Sequence, residues 1–221
     1  MAEQPIGGES GGNKSFPIFG RHDLLAIVQR NENSKLPKSG VFPMVKIVED
    51  KKPGKTGWVI GFGHDVTQEE LDSGIFKDGL TIQKAIELFK KDSVIALENL
   101  GLEGADAEVQ FLALDAGLRI GDLRKGAPKF LAALKAGNTG EAYVQSADIY
   151  YTSGGKRVFY KNRTQTIFDA IGFTPTDNQK VRFKKLREMS RLRGERVPPQ
   201  DKGLQTIGGG SGKYSLNRHI L

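Results

Sequence analysis

Apolar residues recur at helical spacing over much of the chain, with polar or glycine-rich stretches between them. Leu24, Leu25, Ile27 and Val28 follow Asp23, a residue suited to an N-cap, and predict a helix ending near Glu32–Asn33. The stretch 34–57 is broken by Pro37, Pro43 and Pro53 and reads as loops and short strands. Trp58–Gly63 alternates around glycines and suits a strand with a tight turn. Thr81 caps a clear helix carrying Ile82, Ile86, Phe89, Leu97 and Leu100. Glu108–Ile120 is more apolar and fits a buried central helix. Further helices are predicted over Pro128–Ala136, Glu141–Tyr151 and Asn162–Ile171, each closed near a glycine.

The order, a strand-and-loop part followed by helices, predicts an α+β, mostly helical fold. Residues 1–15 are rich in Gly, Ser, Glu and Asn and read as an arm. A globular body would occupy 16–175 and a basic extension 176–221. Within the extension, Gln179–Arg193 has a thin apolar stripe of Val181, Leu186, Met189 and Leu192, compatible with a helix.

Charge sharpens that division. The chain of 221 residues has a formal net charge of +7. Residues 177–221 hold 11 Lys and Arg against 4 Asp and Glu, while 1–176 hold 22 of each sign. A neutral body thus carries a basic tail, which seeks an anionic partner. Aromatics are not interleaved with the basic residues of 180–196, so base stacking on nucleic acid is not expected. The absence of cysteine removes disulfides, thiolate metal sites and cysteine nucleophiles. With three histidines only, His22, His64 and His219, a histidine-rich metal centre is not expected, and no cofactor is implied. No apolar run reaches the roughly 18 residues of a membrane span. Met1–Gly12 lacks the basic and apolar regions of a secretory signal.

Candidate chemistry lies in carboxylates. Gly54-Lys55-Thr56 ends like a phosphate loop, but Glu49 stands where that loop needs glycine. Glu32 falls at the C-terminal end of an apolar helix. Partial desolvation and the negative end of the helix dipole both favour its neutral form, as a general acid requires. Glu49 and Asp50 lie in the following polar loop, where a carboxylate stays ionised and can direct water or stabilise a cationic transition state.

These residues resemble a family. Leu24–Asn33 is similar to the first helix of phage-type (T4-like, glycoside hydrolase family 24) lysozymes, which ends in the catalytic Glu. Gly57-Trp58-Val59-Ile60-Gly61-Phe62-Gly63-His64 looks like that family's Gly-aromatic-Thr-Ile-Gly-Tyr-Gly-His hairpin. Thr81–Leu100, Ala113–Gly121, Phe130–Asn138, and Gly154-Gly155 with Asn162-Arg163 resemble later blocks in the same order. The likeness covers about residues 20–173. It implies a two-lobe fold, a small β-hairpin lobe beside a helical lobe, and a muramidase cleaving the β-1,4 bond between N-acetylmuramic acid and N-acetylglucosamine in bacterial peptidoglycan. Glu32 matches the general acid and Asp50 the second carboxylate, with Glu49 an alternative because the intervening loop is longer than usual. Trp58, Phe62 and Arg119 become candidate sugar-binding residues, and His64 a structural link across the hairpin. The likeness further implies a phage protein, either carried in the virion or made in host cytoplasm before release to the cell wall. Residues 176–221 would then dock on other virion proteins. Asn33, Val59 and Arg119 depart from the family pattern, which keeps open an alternative: a catalytically weak or inactive lysozyme-fold structural protein of the virion, docking through its basic tail.

Overall fold

The structure, a computed structural model, describes residues 15–32, 37–46, 56–153, 156–159 and 163–195. A 3-10 turn at Pro17–Gly20 leads into α1 (His22–Glu32), then β1 (Val41–Phe42), β2 (Val45–Lys46), β3 (Trp58–Ile60) and β4 (His64–Asp65). A short helix α2 (Gln68–Ser73), β5 (Leu80–Thr81) and the long α3 (Ile82–Leu100) follow. Next come α4 (Ala107–Ile120), α5 (Leu123–Gly126), α6 (Pro128–Lys135) and α7 (Thr139–Gln145). The hairpin β6 (Tyr150–Ser153) and β7 (Lys156–Phe159) precedes α8 (Arg163–Ala170) and α9 (Asp177–Glu195). The described chain is therefore mostly helical, with a few short antiparallel strands.

β2, β3 and β4 form an antiparallel meander in which Val45 faces Val59 and Ile60 faces His64. β1 pairs instead with β5, placing Phe42 opposite Leu80. Gly79 makes that pairing possible. Its φ is +80°, and a Cβ there would stand 2.6 Å from Val41 Cγ1 and 2.7 Å from the Phe42 carbonyl.

α4 is the axis of the core, buried from Ala107 to Arg119 apart from Glu108. A helix buried on nearly every side has little face to give to water, so other elements surround it. Its buried Gln110 is fully used: Oε1 accepts from the Ile18 N–H (3.2 Å), and Nε2 donates to the Leu102 and Ser15 carbonyls (3.0 and 3.3 Å). That side chain fastens the opening 3-10 turn to α4.

Most helix ends follow their local chemistry. The Thr81 hydroxyl accepts from the Lys84 N–H at the start of α3, and Gly101 (φ +64°) closes the helix. Two readings change. Asp23 lies inside the first turn of α1, where Arg21 engages its carboxylate at 2.8 and 3.0 Å. The helix expected over Glu141–Tyr151 stops at Gln145. The chain turns at Ser146–Asp148 and enters β6, where Ile149-Tyr150-Tyr151-Thr152 has strand-forming shapes.

α9, the first part of the basic extension, lies on α7 and β7. Phe183 stacks on Tyr143 with ring centroids 4.9 Å apart, Arg182 pairs with Glu141 at 2.8 Å, and Arg157 donates to the Ser190 carbonyl and hydroxyl at 3.1 Å. Part of the anionic surface that the extension's charge seeks is thus the body itself. Among the described residues no helix is long and apolar enough to cross a membrane.

Candidate active site

The periodicity of α1 aims Glu32 inward. Leu24, Leu25 and Val28 form its buried face, and Asn31 and Glu32 stand three and four residues beyond Val28 on that face. The Glu32 side chain is 0% exposed. α4 contributes Asp115 and Arg119, spaced i, i+4, and α8 contributes its first residue, Arg163.

These groups form one polar cluster in the apolar interior. Arg163 donates to Asp115 Oδ1 from Nε at 3.0 Å and from Nη2 at 2.8 Å. Asn31 Nδ2 donates to the same oxygen at 3.1 Å. Arg119 pairs with Asp115 Oδ2 at 2.7 Å, and its Nε donates to the Asp115 carbonyl at 3.2 Å. Arg163 Nη2 also stands 3.9 Å from Glu32 Oε1. Two carboxylates, two guanidiniums and one amide meet there. That balance makes burial tolerable, because an uncompensated buried charge costs several kcal/mol.

The other sequence candidates are dispersed. Asp50 and Glu49 lie outside the described residues. Trp58 is half-buried on β3, with Lys46 Nζ 5.8 Å from its ring centre. Phe62 is 6% exposed and packs edge-on against Phe42 (5.1 Å) and Phe89 (6.1 Å). A ring so enclosed packs as part of the core. Arg119 is 1% exposed and engaged with Asp115 in the cluster.

His64 stands apart from that cluster. Its Nδ1 meets Asp92 Oδ2 of α3 at 2.9 Å, and its Nε2 meets Glu70 Oε2 of α2 at 3.0 Å. Glu70 also completes the N-terminal cap of α2, accepting from the Thr67 N–H at 2.9 Å. Burial disfavours a charged imidazole, but Asp92 and Glu70 outweigh it and the His64 pKa is raised. That of Glu70 is lowered: burial opposes the shift, while the Thr67 backbone and His64 prevail.

Asp115, the centre of the cluster, is the residue that sequence reasoning did not single out. Its signal was present: a carboxylate four residues before an arginine, inside a mostly apolar helix. No family model, curated protein or solved structure matches the chain.

Proposed function

We propose that this chain is a peptidoglycan muramidase with a lysozyme-like two-lobe fold, in which Glu32 is the general acid. The observation that carries the reading is the buried Glu32 side chain at the end of α1, held against the central helix by a defined polar cluster. The Arg163 guanidinium stands 3.9 Å from Glu32 Oε1 in that cluster. Glu32 would protonate the glycosidic oxygen as the bond breaks. Asp50 would direct water at the anomeric carbon or shield the oxocarbenium-like transition state. Because the Glu32 side chain is covered, binding of the glycan has to uncover it.

The test is digestion of purified peptidoglycan by the wild type and Glu32→Gln, with products read by mass spectrometry. Reducing muropeptides from the wild type and a loss of about 100-fold or more in Glu32→Gln are expected, with folding unchanged. Anhydro products would keep Glu32 and remove the water-directing role of Asp50.

The same cluster favours a second reading. Asn31, Asp115, Arg119 and Arg163 tie α1, α4 and α8 together without any substrate, as a structural virion protein docking through its basic extension would need. No product from a folded wild type, and detection of the protein in purified virions, would establish that reading instead.

A further inference from the structure

We infer that the outer face of α9, with the groove between it and the start of α6, is a docking site for an acidic amphipathic helix of a partner protein. The inference rests on the reading of the basic extension as a docking segment and is independent of any role of Glu32 in catalysis. α9 has two sides. Phe183, Leu186, Arg187 and Ser190 recur at i, i+3, i+4 and i+7 and turn toward the body. Val181, Lys185, Met189 and Leu192 recur at i, i+4, i+8 and i+11 and form a second row, turned to solvent. Val181 is 65% exposed, Met189 46% and Leu192 39%. The inward side is already packed, so the outer apolar row is left without a covering element along about 16 Å of helix. A single exposed leucine needs no explanation, but apolar residues aligned in one row beside a groove do.

The groove has a volume of about 560 Å³ and is lined by Leu186, Met189, Leu192 and Arg193 of α9 and by Pro128 and Lys129 of α6, with Asp148 also on its wall. Its surplus charge is positive. Arg193 offsets Asp148 at 3.4 Å, and Arg191 holds Glu188 at 2.8 Å. Lys129, Lys184 and Lys185 are exposed and make no ion pair among the described residues. α6 starts at the groove with Pro128 and no side-chain cap, so the positive end of its dipole adds to the lysines. An apolar row flanked by cations complements a helix whose apolar stripe is flanked by carboxylates. A second copy of this chain would set lysine against lysine. A lipid surface fits less well than a peptide, because the site is a concave groove and because of Asp148. Its Oδ1 is buried and has no hydrogen bond among the described residues. A peptide amide or hydroxyl can donate to that oxygen, whereas a lipid phosphate is repelled by it.

The full-length chain, labelled with carbon-13 at its methionine methyl groups, reports on the site through Met189, with Met44 between β1 and β2 as the internal control. The probe is a synthetic helix of about 16 residues, with leucine at i, i+3, i+4 and i+7 and glutamate on the flanks. A saturable shift of the Met189 signal is expected, with Met44 unmoved, and added salt should weaken the binding. Lys129→Glu/Lys185→Glu should weaken it about tenfold. Leu192→Gln should weaken it about fivefold or more. All three positions are exposed, so these variants should keep the fold, which circular dichroism checks. A peptide with lysine in place of glutamate should not bind. An unmoved Met189, or equal binding of the lysine peptide, overturns the inference. So does a Met189 shift that follows phosphatidylglycerol vesicles or protein concentration instead of the peptide, which would assign the face to a membrane or to a second copy. Detection of the protein in virions with Met189 unmoved by the peptide would keep the docking role of the extension and remove it from this face. Peptidoglycan digestion is a separate readout, so either result leaves the muramidase reading to its own test.

Discussion

His64 joins three elements through two hydrogen bonds, and its charge follows from them. Its imidazole faces carboxylates on both sides, Asp92 of α3 and Glu70 of α2, and its pKa is raised above the ordinary histidine value of 6.5. The folded state thus holds the proton more tightly than the unfolded chain. The stabilisation is fully present below pH 6.5 and is lost as the pH rises through the folded value. Thermal melts between pH 5.5 and 8.5 should show the wild type losing stability over that rise, with His64→Gln removing most of the dependence. At pH 6 the substitution should cost about 1.5–3 kcal/mol, the range for a hydrogen bond to a charged group. At this scale the sequence was legible where periodicity rules. Val28 lies on the buried face of α1, and counting three and four residues onward turns Asn31 and Glu32 toward the core. It was not legible where partners come from far along the chain. Asp115 meets Asn31 and Arg163 across separations of 84 and 48 residues, and no local pattern encodes such meetings.

Among the elements, the β1–β5 pairing depends most on a single residue. Gly79 combines a positive φ with contact against Val41 and Phe42, so Gly79→Ala should cost about 2–4 kcal/mol through strain and overpacking together. Gly74 ends α2 with a similar φ of +64° but has open space where a Cβ would stand. Gly74→Ala should therefore cost only about 1 kcal/mol. Urea unfolding of both variants separates the two causes, and equal losses would show that the close contact at Gly79 is relieved at no cost. Caps made most of the helices readable, since Thr81 and Gly101 act on their own neighbours. The β6–β7 hairpin was missed because Glu141–Tyr151 begins with helix formers. The later β-branched and aromatic residues prevail only once Tyr150 has Phe159 and Tyr151 has Val158 opposite them.

At the scale of the whole molecule, the composition break near residue 176 marks a change of charge, yet α9 packs on the body beyond it. Phe183 stacks on Tyr143, Arg187 lies over Phe183 and Phe159, and Arg182 and Arg193 reach Glu141 and Asp148. Phe183→Ala should lower the stability of the entire cooperative unit by about 2 kcal/mol, less than for a fully buried ring. Far-ultraviolet circular dichroism and tyrosine fluorescence, followed through one denaturant titration, test this. Coincident shifted transitions are expected, and loss of α9 helix with an unmoved main transition would show that α9 folds by itself. The sequence by itself determined the helical character of the chain, most helix ends, the apolar axis of α4 and the uneven charge. Each of these arises from residues a few positions apart, or from simple sums. Only the tertiary structure decided that Phe62 is core, that Asp115 centres the polar cluster, and that α9 rests on α7. Burial and charge pairing depend on which distant segments come together, and that is settled by packing of the whole chain.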